Sequence, residues 1–247
     1  NVYFILLMIA SFSIPQAVSK IMSERIAFKR YRDAQRVFKG ALLYAVIAGG
    51  IVALICVFGA SVLVPDSVAN ARLALQMLAP TIFISGILGV FRGYFQAYRN
   101  MMPTSISQIV EQIAVAVVAL LMANFMVHHF AGAGEDTLQR WSAAGATIGT
   151  GAGVTAALLF MLFVYSVNRK TINRRIARDK VSVDESYQQV MRNIVLIVAP
   201  IILSAFIYNV NGYINGVMYT SISDFRGMDN SQVKVLYAEF GFFMTLI

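Results

Sequence analysis

The sequence predicts an all-α membrane protein, a polytopic helical bundle, and three observations carry that reading. Of 247 residues, 58% are hydrophobic and 13% charged, with a mean hydropathy of +0.69. A soluble domain carries about a quarter charged residues. Apolar stretches of roughly 20 residues recur along the chain, the length a helix needs to cross ~30 Å of hydrocarbon. Their side chains show no two-residue alternation, which argues against barrel strands. Soluble enzymes, disulfide scaffolds and zinc modules are excluded: the single cysteine, Cys56, sits in an apolar run, and His128 and His129 are the only histidines. The chain turns apolar almost at Asn1 and stops at Ile247 within another apolar stretch. It is therefore expected to be an internal piece of a longer membrane protein, and its start is not read as a signal peptide.

Six apolar stretches and the start of a seventh are expected as spans. The first runs from Val2 to Val18, with Pro15 near its end. The second, Ala41 to Val64, contains no charge. The third, Leu73 to Phe91, is bounded by Arg72 and Arg92. The fourth starts after Pro103 and runs to Val127, interrupted only by Glu111. The fifth is Ser142 to Val167, the sixth Asn193 to Ser223, and the last begins near Val235. Trp141, with Tyr and Phe at several span ends, fits an aromatic belt, and His128 and His129 fall at the outer interface.

Charge sets the orientation. Lys20 to Lys39 holds seven cations, the turn between spans three and four holds Arg92 and Arg99, and Arg169 to Arg192 holds seven more. The alternate loops hold only Arg72, Arg140, Arg226 and Lys234. The cation-rich side is cytoplasmic by the positive-inside rule. Topology accounts for the net charge of +8, so no nucleic-acid partner is invoked, and membrane lipids are the expected surroundings. Asn168 to Tyr187 is the longest polar stretch, basic and then acidic, and Arg174, Arg175 and Arg178 are spaced for a surface helix. It marks the boundary between two membrane lobes. The outer loops are short, which weighs against a membrane glycosyltransferase with catalytic acids such as Asp66, Glu135 or Asp136. Gly145, Gly149 and Gly153 fall four apart on one helix face, a spacing for close helix packing rather than a nucleotide loop.

Ionisable groups at membrane depth are expensive and face a partner or a water-filled cavity. Glu111 is the clearest case, on one helix face with Gln108 and Gln112. Ser85, Gly89, Arg92 and Gln96 share a face of the preceding span. Arg92 lies nine residues before Met101 and Glu111 ten after it, so an antiparallel hairpin places them at nearly equal depth. They are expected to pair, either as a stitch between two helices or as a cavity-lining pair whose cation also takes an anionic substrate. Lys20 and Glu24 form an i, i+4 pair where the first span leaves the membrane, either solvated or at the cavity mouth. Asn211 and Asn215 share a face of the sixth span, for interhelical hydrogen bonds or for an ion site.

Two stretches carry a resemblance. Ser13-Ile14-Pro15-Gln16-Ala17-Val18-Ser19-Lys20, followed by Ser23-Glu24, resembles the "GIPxAISKLxSE" segment of the polysaccharide biosynthesis, or stage V sporulation protein B-like, family. Phe91-Arg92-Gly93-Tyr94-Phe95-Gln96, through Met101-Met102-Pro103-Thr104 to Ile106-Ser107-Gln108-Ile109-Val110-Glu111-Gln112, resembles its "RGYFQGxxNMxPTAISQxxEQ" signature. The family belongs to the multidrug/oligosaccharidyl-lipid/polysaccharide exporter superfamily, many of whose Gram-positive members are lipid II flippases.

The resemblance implies two six-helix lobes and a tail pair, about fourteen helices, of which this chain is helices two to seven and the start of eight. Residues 1–167 are then the N-terminal lobe, 168–188 the cytoplasmic linker, and 189–247 the start of the second lobe. The implied function is alternating-access export of an undecaprenyl-pyrophosphate-linked glycan, lipid II first, across the cytoplasmic membrane of a Gram-positive bacterium. Arg92, with Lys20 second, would attract the pyrophosphate. Glu111 would hold Arg92 in the empty state, and Gln96, Gln108 and Gln112 would hydrogen-bond sugar or peptide. No cofactor is implied; coupling to Na+, H+ or the membrane potential is. Where family members carry an acid in the seventh helix, Asn211 to Asn215 offers amides. The cell-wall synthesis machinery is the implied protein partner. The alternatives are a cation-coupled multidrug exporter, an exporter of capsule or teichoic acid precursors, and, least favoured, a membrane glycosyltransferase.

Overall fold

The structure is a computed structural model describing residues 13–59, 71–129, 135–183, 185–204 and 207. Residues 1–200 form one compact unit and 201–247 a second. The described helices are α1 (Ser13–Ala27), α2 (Tyr31–Phe58), α3 (Ala71–Ala97), α4 (Met102–His129), α5 (Glu135–Ala177) and α6 (Tyr187–Ser204), of which α6 belongs to the first unit as far as Pro200. Among the described residues there is no strand, and five helices are long and apolar enough to cross a membrane. The all-α polytopic class is therefore established.

The helices extend beyond the apolar stretches that mark them. α2 begins at Tyr31, ten residues before Ala41. α5 is 43 residues long, about 65 Å at 1.5 Å per residue, twice the hydrocarbon thickness. Its surplus is the basic end: Arg174 and Arg175 occupy the last turn, where cations favour the negative end of the helix dipole. The polar stretch from Asn168, in which a surface helix is expected at Arg174 and Arg175, is helical to Ala177 and continuous with the fifth span. The spans expected before Ser13, beyond residue 207 and near Val235 lie outside the described residues.

Two turns of the same construction join α1 to α2 and α3 to α4. Lys29 and Arg99 adopt left-handed backbone (φ 61° and 58°). In each turn the next residue's N–H reaches back five positions: Arg30 to Arg25 O, and Asn100 to Phe95 O. This is the helix stop that usually takes glycine. Cations fill the position here, at a cost of about 1–2 kcal/mol each. Pro103 sits in the first turn of α4, where its missing N–H has no helical partner to lose.

An aromatic cluster binds α2, α3 and α5. Phe38 lies edge-on to Tyr94 at 4.8 Å and stacks on Tyr165 at 5.5 Å, and Phe91 meets both Phe38 and Tyr165. Around it α3 packs against α1, α2 and α5, while α4 rests chiefly on α5. α3 and α4 are consecutive, yet they touch only sparingly. The exposed face of α4 carries Ile109, Ile113, Val117, Leu120, Leu121 and Phe125, a surface suited to lipid.

All three basic segments meet at one end of the bundle. The Arg175 guanidinium lies 5.4 Å from the Tyr98 ring, which joins the end of α5 to the α3–α4 turn. Asp179, Val183 and Glu185 fold onto the α1–α2 turn through the hydrogen bonds and ion pairs described below. A shared end is what the charge-derived topology requires.

Candidate functional site

Opposite faces of α3 do different work. Phe91, Tyr94 and Phe95 are buried in the core, and Arg92, on another face of α3, reaches toward α4. Gly93 keeps α1 close: a Cβ there would lie 2.7 Å from Pro15 O and 2.9 Å from the Val18 Cβ. On the other side Gly153 lets α5 press against α4, since a Cβ there would collide with the Val115 side chain and lie 2.8 Å from Glu111 O. Gly149 meets Ala119 in the same way. The glycine face read from the sequence is thus a close helix contact, and it fixes the backbone that carries Glu111.

Between these anchors Arg92 crosses the gap. Its Nη2 donates to Glu111 Oε2 at 2.6 Å and its Nε to Ser107 Oγ at 2.9 Å. The Ser107 hydroxyl donates in turn to Thr104 O at 2.7 Å, and Thr104 Oγ1 donates to Arg92 O at 3.5 Å. The Arg92 and Glu111 side chains are 15% and 19% exposed, neither sealed off nor fully solvated. Among the described residues, Nη1 of Arg92 has no partner, so one edge of the guanidinium is open to an anion. A charge-assisted bond of this length is strong in a low-dielectric setting, and removing one partner strands the other.

The remaining expected residues are placed differently. Gln96 is half-buried one turn beyond Arg92, and Gln108 and Gln112 are exposed beside the pair on α4. Lys20 is exposed on α1, and no contact joins it to Arg92. It does not pair with Glu24, whose carboxylate meets Arg25 Nη1 at 3.2 Å. The reason is geometric: Arg25 is held by its own bond to Ile21 O, which leaves it beside Glu24. Asn211 and Asn215 lie outside the described residues. Among the described residues, no three His, Cys, Asp or Glu side chains gather as metal ligands.

Ser107 and a second polar cluster are not anticipated by the sequence reading. Thr104, Ser107 and Glu111 fall at i, i+3 and i+7, a spacing that could have flagged Ser107. In the cluster, Glu185 takes Arg25 Nη2 at 3.0 Å on one carboxylate oxygen and Arg30 Nη2 at 2.9 Å on the other. Arg36 Nη1 donates to Glu185 O at 2.9 Å. Asp33, fully buried, pairs with Arg30 and accepts the backbone N–H groups of Val183 and Glu185. Asp179 accepts from Ser182 Oγ and from the N–H groups of Arg32, Val181 and Ser182. Burial pushes the Asp179 carboxyl up, but these hydrogen bonds outweigh it and hold the group well below the usual carboxylate range. The linker is therefore latched to the α1–α2 turn.

The comparisons agree with this picture. The sequence profile of the polysaccharide biosynthesis protein family matches residues 1–226. Stage V sporulation protein B of Bacillus subtilis (strain 168) is 27% identical over 253 aligned positions, covering 99% of this chain and 46% of that protein. The lipid II flippase MurJ of the same strain is 27% identical over 180 positions, covering 69% of this chain and 32% of the relative. The chain thus spans less than half the length of either relative. No solved structure matches it. A profile that covers nearly the whole chain, over a helical bundle with a charged pair between two of its spans, makes this chain a member of the polysaccharide biosynthesis protein family.

Proposed function

We propose that the chain forms most of one lobe, and the start of a second, in a flippase that moves a lipid-linked glycan across the cytoplasmic membrane. It is a transporter rather than an enzyme. The observation that carries this reading is the Arg92–Glu111 pair, set where two consecutive helices barely touch and with one guanidinium edge open. A pyrophosphate-sugar headgroup must leave water while its polyprenyl tail stays in lipid. A cation between helices meets that need, and rocking of two lobes would expose it to each side in turn. In the empty state Glu111 holds Arg92; an arriving pyrophosphate exchanges for it, with Gln96, Gln108 and Gln112 beside it to meet sugar or peptide. Lipid II is the proposed glycan, which the similarity to a lipid II flippase supports. Na+, H+ or the membrane potential is the proposed drive, with Asn211 and Asn215 as the ion site.

Depletion of the protein, followed by identification of the lipid-linked precursors held on the inner leaflet, tests the substrate. Accumulated lipid II supports the proposal. Accumulation of a capsule or teichoic acid precursor instead would reassign the glycan. No accumulation of any lipid-linked sugar would overturn the reading.

A further inference from the structure

We infer that the cavity between the end of α1 and the start of α6 binds the phosphate of a lipid headgroup of net negative charge, at a site separate from Arg92. This inference requires only that the helices span a membrane, not that the chain transports a glycan. The cavity has a volume of about 460 Å³ and is lined by Arg25, Glu185, Gln189, Arg192, Asn193 and Leu196. Two guanidinium groups and two amides supply donors, and the one acid of the lining is already spent. Both oxygens of Glu185 are taken, one by Arg25 and the other by Arg30, so its charge is compensated before any ligand arrives.

The two arginines differ in what they have left to give: Arg25 is already held by Glu24 and Glu185, whereas Arg192 is in no ion pair among the described residues. Arg25 is 8% exposed, and its Nε has no hydrogen-bond partner. Buried guanidinium donors are normally satisfied, so this position has one hydrogen bond still to make. Arg192 is exposed. It stands in the second turn of α6 and lines the cavity.

The apolar part of the lining distinguishes a lipid from a free anion. Leu196 lies one turn beyond Arg192 on the same face of α6 and is 58% exposed. A phosphate at Arg192 therefore has an acyl or prenyl chain directed along Leu196 into the membrane. The site lies at the basic end of the bundle, between helices, where basic pockets take anionic headgroups.

The test uses the purified protein in phosphatidylcholine nanodiscs, titrated with spin-labelled phosphatidylglycerol and, separately, with a spin-labelled polyprenyl pyrophosphate. Binding of either above the phosphatidylcholine level supports the site, and comparing the two shows whether the phosphate belongs to bulk or to carrier lipid. Arg192→Gln should weaken that binding about fivefold, the loss of roughly one near-surface cation. Arg192→Lys should retain most of it, and Lys170→Gln, an exposed cation of α5 outside the cavity, should leave it unchanged. Equal losses in Arg192→Gln and Lys170→Gln would mean diffuse surface charge and overturn the site. So would binding of inorganic pyrophosphate as tight as that of either lipid, or no preference over phosphatidylcholine at all.

Discussion

Arg92 Nη2 and Glu111 Oε2 lie 2.6 Å apart although nineteen residues separate them in sequence. The turn at Met101 folds the chain so that positions nearly equidistant from it meet at the same depth. What the turn does not fix is the rotation of each helix. That comes from Phe91 and Tyr94 in the aromatic core on one side and from Gly153 against the Glu111 backbone on the other. Ser107 completes the arrangement by taking Arg92 Nε. The pair is therefore a product of packing as much as of charge.

Gly153→Ala should disturb the site without touching a charge. The new methyl would press on Val115 and on Glu111 O, and α4 would have to move. Overpacking of this kind costs about 1–3 kcal/mol. Gly50, with nothing within 4 Å of its would-be Cβ, is the control. Gly50→Ala should stabilise slightly, because alanine favours the helix by about 1 kcal/mol. Thermal unfolding in detergent, read for both variants, would count against the packing account if they behaved alike.

The linker latch yields a pH prediction. Asp179 has a lower pKa folded than unfolded, so its contribution is present above the unfolded value of about 4 and is lost only as pH falls through the lowered folded value. Protease cleavage between residues 178 and 186 should therefore be slow and constant from about pH 5 to pH 8. Asp179→Asn should speed cleavage across that whole range. A sharp change in wild-type cleavage near neutrality would contradict the assignment.

Much of this was legible in the sequence. Composition and span length gave the helical class, the cation count required one basic end, and distance from Met101 paired Arg92 with Glu111. Gly149 and Gly153 were readable as a packing face because their spacing is a local property of one helix. The latch was not readable in this way. Asp33 and Asp179 sit within basic runs, where they look like dilution of charge, and only the folding of 179–185 back onto the α1–α2 turn brings them to their partners. The spacing of Arg174, Arg175 and Arg178 suits a helix, but its continuity with the fifth span is not legible, because hydropathy marks where a helix leaves lipid, not where it stops. Arg174 and Arg175 continue the helix in water.

Orientation is open to direct labelling. On a Cys56→Ser background, a cysteine at position 175 should resist an impermeant thiol reagent in intact cells and react after the inner face is exposed. A cysteine at position 135 should react from outside. The reverse pattern would invert the positive-inside assignment.

The central claim is that Arg92 serves a substrate as well as Glu111, and the double variant Arg92→Gln with Glu111→Gln tests it most directly. Each single change leaves a charge without its partner, at a cost of about 3–5 kcal/mol for a buried pair, less in proportion as the pair is solvated. The double variant should recover most of that stability, because no charge is left stranded. The measurement is flipping of a lipid-linked glycan by the complete two-lobe flippase carrying both changes, against the same flippase without them, taken with its unfolding temperature. The account predicts near-normal stability with flipping lost, while Arg92→Lys keeps part of the activity through its point charge. Flipping restored along with stability in the double variant would contradict it, and the pair would then be a stitch between two helices.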